Sequence, residues 1–407
     1  MQTASLLDHN GAAPDRPDEA RRTLAVTGLN HALHDGYTDL IYLMLPVWQS
    51  EFALSYALLA GLRALYAGAM AGLQVPAGRL AARVGGKTLL VLGTLLSACG
   101  YMLAGLSSGV IGLGLALVLS GIGSSTQHPI ASAAVSRAYG RNARGPLGIY
   151  NFSGDLGKAA IPGLLSLLLL VMAWRHALWL LAFAGLAVAA VILAAMPAHR
   201  RDPARPIAGA KRETEAGAHT GGGGGFAVLL SIGILDTAVR MGLLTFLPFL
   251  LRTKGASLPL SGLALTLVFV GGAAGKFVCG WLGARAGTVR TVLLTEGGTA
   301  VGIVAVLLLP LTPAMVLLPL LGVMLNGTSS VLYGTVPELA PAHRAEHAFA
   351  VFYTGTIGSG AIAPVLYGIL GDVLGPNAAT VATALSALAI LPLALVLSSH
   401  LAPAPRV

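Results

Sequence analysis

The sequence predicts an all-α membrane protein of twelve transmembrane helices in two pseudo-symmetric six-helix bundles. Three observations predict it. Of 407 residues, 55% are hydrophobic and only 10% are charged, against roughly 25% charged in a soluble domain. Such a chain cannot cover a water-facing surface of its size, which excludes an ordinary soluble enzyme. The apolar residues fall in blocks of about 20, the length that crosses about 30 Å of hydrocarbon, whereas a β-barrel would alternate over segments of about ten. The second half of the chain repeats landmarks of the first at a constant offset of 202 residues.

The spans are expected at 24–48, 56–78, 88–107, 110–134, 146–171, 177–196, 226–251, 260–282, 290–310, 313–335, 348–371 and 377–399. This divides the chain into an N-tail at 1–23, an N-terminal bundle at 24–196, a linker at 197–225, a C-terminal bundle at 226–400 and a C-tail at 401–407. The N-tail is polar, and the first apolar block is too long for a signal-peptide core. The linker combines Pro197, Pro203 and Pro206 with mixed charge and the run Gly221 to Gly225, a flexible composition.

Charge sets the orientation. The net charge of +9 does not point to nucleic acid, because the basic residues sit in short loops between apolar blocks. Eighteen Lys and Arg fall on the side of the termini and three, Arg175, Arg252 and Lys254, on the other. By the positive-inside rule both termini are expected in the cytoplasm, in a bacterial-type inner membrane. Cys99 and Cys279 lie inside apolar blocks and read as small packing residues.

The repeat has three landmarks. Pro46 falls on Pro248, and Pro162 on Pro364. The segment Gly78-Arg79-Leu80-Ala81-Ala82-Arg83-Val84-Gly85 falls on Gly280-Trp281-Leu282-Gly283-Ala284-Arg285-Ala286-Gly287. Six spans separate equivalent points, so the halves run parallel about an axis along the membrane normal.

These two loops resemble the signature loop of the major facilitator superfamily, with Gly78, Arg79, Arg83, Gly85, Gly280, Arg285 and Gly287 as gating positions. The acid usual before the Arg is missing, since Ala82 and Ala284 stand there. Glu338 and Glu346 facing Arg79 and Arg83 are the expected substitutes in the latch between the halves. Three further segments resemble the fosmidomycin-resistance group of bacterial drug exporters. They are Asn30-His31-Ala32-Leu33-His34-Asp35, Gly121-Ile122-Gly123-Ser124-Ser125-Thr126-Gln127-His128-Pro129, and Gly154-Asp155-Leu156-Gly157-Lys158 leading to Pro162. That resemblance implies proton-driven efflux and drug resistance.

Ionisable residues inside hydrocarbon are costly unless they face a cavity or a partner, so each is a functional candidate. Arg63, Lys276 and Glu296 lie near enough to helix ends to be expected to snorkel. Asp35, Asp155, Lys158, Asp236 and Arg240 lie deeper. His31, Asp35, Thr38, Asp39 and Tyr42 form one polar stripe at helical spacing. A desolvated carboxyl there suits proton exchange, so Asp35 is the expected coupling residue, with His34 and Asp39. Asp155 and Lys158 at i, i+3, and Asp236 and Arg240 at i, i+4, could neutralise each other along their own helices. Alternatively, protonation frees the cation for an anionic substrate. His31, Tyr42, Gln127, His128, Tyr150, Asn151, Asp155, Lys158, Asp236 and Arg240 are the expected substrate-cavity residues. His128 either lines that cavity or caps carbonyls freed by a bend at Pro129.

Other chemistries find no support. Ala81 to Thr88 loosely fits a nucleotide P-loop but follows a membrane helix instead of a strand. No metal-ligand spacing, cofactor motif or nucleophile elbow occurs. The expected function is thus a non-enzymatic secondary transporter: proton antiport, exporting a small organic or drug-like compound, anionic ones included, by alternating access. The alternatives are a proton-coupled importer of a small metabolite and, at greater distance, a non-transporting receptor. The expected partners are the substrate, protons and the lipid bilayer, with no nucleic acid and no second subunit.

Overall fold

In a computed structural model of the chain, residues 17–197, 223–339 and 345–401 are described. They form thirteen α-helices and, among the described residues, no strand. The first seven are α1 (Pro17–Phe52), α2 (Tyr56–Val84), α3 (Gly86–Leu106), α4 (Val110–Ser124), α5 (Gln127–Tyr139), α6 (Arg144–Val171) and α7 (Trp174–Ala195). The remaining six are α8 (Gly223–Thr253), α9 (Leu258–Ala286), α10 (Thr288–Leu308), α11 (Leu311–Leu339), α12 (Ala345–Leu374) and α13 (Pro376–Ser398). The N-tail to residue 16, most of the linker, Arg344 and the end of the C-tail lie outside the described residues.

Eleven segments are long and apolar enough to cross a membrane, with α4 and α5 counted as one crossing from Val110 to Asn142. The twelfth is α1, 36 residues long. It fails on polarity, because His31, His34, Asp35 and Asp39 occupy its middle. Those side chains are tolerated because neighbouring helices bury α1 along most of its length, from Ala20 to Trp48. The charges face protein instead of lipid.

The helices differ from the sequence expectation at three places. The fourth span breaks between Ser124 and Gln127, ahead of Pro129. The second and third spans are joined by a single residue, Gly85, and the eighth and ninth by Gly287. Arg79, Arg83 and Arg285 therefore sit on the last turns of α2 and α9 instead of in open loops. Gly85 and Gly287 have φ of 97° and 82°, a region that glycine enters without a Cβ clash. This is why a helix can reverse there in one residue.

The 202-residue repeat extends into detail. Ser55 and Ser257 are equivalent N-caps, accepting from the backbone N–H groups of Leu58 and Leu260. Helix pairing repeats as well: α1 against α6 matches α8 against α12, and α3 against α7 matches α10 against α13. The halves meet where α2 packs on α12 and α6 on α9.

The named contacts between halves lie at mid-depth or toward the side away from the termini, the far side. The Asp372 carboxylate accepts from the backbone N–H groups of Tyr56 (2.6 Å) and Ala57 (3.1 Å) at the start of α2. Arg252 donates to the Pro46 carbonyl at 3.2 Å, and Thr266 to the Ala159 carbonyl at 2.7 Å. On the side of the termini, a Cβ at Gly78 would only just touch Pro129, at 4.0 Å, and at Gly148, Gly280, Gly334 or Gly358 would meet nothing within 4 Å.

Candidate functional site

Asp35 lies eighteen residues into α1, about 27 Å along its axis at 1.5 Å per residue. It is buried, and three nitrogens surround it. Lys158 Nζ is 3.2 Å and His31 Nε2 3.3 Å from one oxygen, and His128 Nε2 is 3.6 Å from the other. Lys158 comes from α6, His31 from one turn earlier on α1, and His128 from the first turn of α5. The helix break before Gln127 starts α5 beside α1. His128 thus faces Asp35, and the carbonyl-capping alternative is not seen. With its side chain 38% exposed, His128 is the open edge of the cluster.

Glycine permits this approach. A Cβ at Gly154 on α6 would stand 2.7 Å from both Asp35 Oδ2 and His31 Nε2. One at Gly157 would stand 1.9 Å from the Ala32 carbonyl oxygen. Only a helix lacking side chains at these two positions can lay Lys158 against Asp35.

The protonation of the cluster is constrained by geometry. His31 Nδ1 is 2.8 Å from the Tyr150 carbonyl oxygen, and the ring stacks on Tyr150 at 4.2 Å between centroids. A carbonyl only accepts, so Nδ1 carries a hydrogen. The Nε2 contact with Asp35 is then favourable only if a second proton sits between them, as imidazolium against carboxylate or as imidazole against carboxylic acid. His31, Asp35 and His128 also present three metal-type ligand atoms within 4.8 Å of one another. Lys158 already supplies a positive partner at the same Asp35 oxygen.

The other expected residues distribute around this centre. His34 is buried and turns away from Asp35, meeting Ser124 Oγ at 3.0 Å and Thr94 Oγ1 at 3.2 Å. It belongs to a hydrogen-bond network with Asn30, Tyr66, Ser97 and Gln127, in which Asn30 donates to Gln127. Asp39 is buried with no cationic nitrogen within 4 Å among the described residues. Tyr42 and Arg63 meet across the halves at Met241, with Arg63 buried and 4.9 Å above the Tyr42 ring. Asn151 is exposed and makes no polar side-chain contact among the described residues.

The charge pairs differ from the expected ones. Lys158 lies closer to Asp35 than to Asp155, its i−3 neighbour at 3.9 Å. Asp155 is held instead by Lys276 of α9, at 2.6 and 2.7 Å. Lys276 therefore does not snorkel but bridges the halves. Asp236 and Arg240 make no ion pair with each other. Asp236 lies beside Glu296 of α10. Glu296 is only 1% exposed, about 12 Å into its helix, so it does not snorkel either. Arg63 likewise stays buried.

Lys276 and Glu296, with Arg63, were the residues that sequence reasoning expected to snorkel, although all are intramembrane charges. Arg79 and Arg83 make no ion pair with Glu338 among the described residues, and the Glu346 side chain lies outside them. Arg285 rests 4.5 Å from the Trp281 ring.

Comparison with known proteins agrees with this architecture. The family model of the Major Facilitator Superfamily matches residues 27–231 and again 228–406. No curated protein sequence matches significantly. Among solved structures, the chain is similar to a bacterial homolog of the human lysosomal transporter Spinster in an inward-facing, occupied conformation. The TM-score is 0.78 at 18% identity, over 97% of this chain and 100% of that one. The unoccupied form of the same protein gives 0.76 at 17% identity, over 96% and 100%. A variant of the nucleoside transporter NupG gives 0.74 at 12%, over 94% and 99%.

Proposed function

We propose that this chain, which belongs to the Major Facilitator Superfamily, is a proton-coupled secondary transporter that exports a small organic, drug-like compound by alternating access. That it is a multi-pass, non-enzymatic membrane transporter follows from the family and fold. The coupling ion, direction and substrate are our reading, as are the cytoplasmic termini, the inner membrane and a monomeric state.

One observation carries the coupling. His31 donates to a backbone carbonyl through Nδ1, so its contact with Asp35 is favourable only with a proton between them. That proton sits at mid-membrane beside the part-exposed His128, and bringing it in or releasing it changes what Asp35 can bind. In the efflux reading, a donor group on the substrate needs the bare carboxylate, and protonation from the other side expels it. The surrounding Lys158 favours amphiphilic or anionic substrates over purely cationic ones.

The same Lys158 supports the second reading, a proton-coupled importer. Protonating Asp35 releases Lys158 from its 3.2 Å contact and leaves the ammonium for an anionic group. Proton and anion would then bind together, as symport requires. The two readings have opposite signs in everted vesicles. Acidifying the lumen drives uptake by an exporter, whereas an importer of this kind would show no such uptake. Growth of an exporter-deficient strain expressing the protein on a panel of toxic compounds, with and without an uncoupler, identifies the substrate. Resistance that an uncoupler leaves intact would count against proton coupling altogether.

A further inference from the structure

The 202-residue offset carries His34 onto Asp236 and Thr94 onto Glu296. In the N-terminal half these positions touch as a histidine ring and a hydroxyl, 3.2 Å apart. In the C-terminal half the same two positions hold two buried carboxyl groups side by side. Asp236 is 3% and Glu296 1% exposed. Among the described residues no Lys, Arg or His nitrogen comes within 4 Å of either.

The groups facing the pair are few. Among the described residues Arg240, one turn along α8, is the cation near it, and its buried Nε has no hydrogen-bond partner there. Thr328 and Tyr333 face it from α11, and Cys279 from α9. None of these supplies a paired counter-charge. Two carboxylates side by side, out of water, cannot both be ionised.

We propose that Asp236 and Glu296 form a second proton-binding site, in the C-terminal half, that takes up and releases a shared proton. Arg240 sets the charge of the site. With one proton bound, a single negative charge faces the guanidinium and the set is neutral; with the proton gone, the excess negative charge must be solvated or paired. The pair titrates as a unit. The site stands on the C-terminal half alone, and only its role in transport rests on the proton-coupled reading.

The test is infrared spectroscopy of the full chain in lipid vesicles, with proton and deuteron exchange as the probe. The wild type should show a protonated-carboxyl C=O band that shifts in heavy water and changes between about pH 5 and about pH 9. Glu296→Gln and Asp236→Asn should each abolish it. The double variant Asp236→His with Glu296→Thr installs the pair that the N-terminal half already packs. It should fold and lack the band, which guards against misfolding of the single variants. Asp35→Asn should leave the band in place, so a failure of coupling at Asp35 is read separately. A band that survives in the double variant would overturn the proposal. A band that does not respond to pH would also overturn it, reducing the pair to a fixed structural hydrogen bond.

Discussion

In the N-terminal half, α6 approaches α1 with Gly157 against the Ala32 carbonyl, where a Cβ would stand 1.9 Å from the oxygen. At the equivalent place in the C-terminal half, Ser359 donates to the Ile234 carbonyl at 2.7 Å. One half presses its helices together to bring Lys158 to Asp35; the other keeps a side chain's width and fills it with a hydrogen bond. The charges follow the same division. The N-terminal half holds Asp35 among three nitrogens beside an open edge, and the C-terminal half holds two carboxyl groups with no Lys, Arg or His nitrogen within 4 Å among the described residues. A duplicated fold thus carries two kinds of acid site on different helix pairs: Asp35 between α1, α5 and α6, and the carboxyl pair between α8 and α10.

The comparison can be broken at its centre. Asp35→Asn removes the carboxylate that all three nitrogens face, and gradient-driven transport in reconstituted vesicles should be abolished while expression persists. Full transport in that variant would remove Asp35 from the coupling. Next in size is helix spacing. Gly157→Ser puts the C-terminal half's residue into the tighter contact and should destabilise the protein by about 1–3 kcal/mol. The reverse swap, Ser359→Gly, loses one hydrogen bond and should cost about 0.5–1.5 kcal/mol. Thermal unfolding in detergent compares them, and equal costs would mean that the halves are not spaced differently.

The bridge between halves comes third. Lys276→Ala leaves Asp155 to Lys158 and weakens the contact of α6 with α9. The pair is part-exposed, so the loss is at most about 1 kcal/mol, a shift of about fivefold between conformations. Cysteine-labelling rates on the two sides report it, and no change would exclude the bridge as a stabiliser of the present state. The smallest effect is expected at Glu51, at the end of α1. The Arg175 guanidinium donates to it at 2.6 Å and holds its carboxyl below the ordinary range. Such a contribution is present at neutral pH and fades as pH falls through the lowered value. Glu51→Gln should leave the neutral-pH melting temperature nearly unchanged and slightly flatten its fall in acid; a large neutral-pH loss would mean that Glu51 has a further role.

Much of the fold was legible because lipid imposes length and composition on each span. The repeat was visible for a related reason: Gly85 and Gly287 have to reverse the chain in one residue, and few residue types allow it. The break before Gln127 was not visible, since Ser124, Ser125 and Thr126 carry no helix-breaking signal and Pro129 drew attention downstream. The site was legible as a set of residues but not as a set of pairs. Sequence spacing offers only partners along one helix, so Asp155 was matched with Lys158 and Asp236 with Arg240. The structure gives each acid a partner from another helix, Lys276 and Glu296. Both of these had been set aside by depth, and the equivalence of Glu296 with Thr94 becomes informative only once the structure shows His34 against Thr94.

The cap on α2 has a consequence of its own. The amides of Tyr56 and Ala57 have no acceptor within their own helix, and the carboxylate that serves them, Asp372, belongs to the other half. Whenever the far side opens, those amides must pass from a protein oxygen to water. On the alternating-access reading, their exchange with solvent deuterium keeps time with the transport cycle. A pair of backbone hydrogens at the head of one helix becomes a clock for alternating access, readable without knowing what the protein carries.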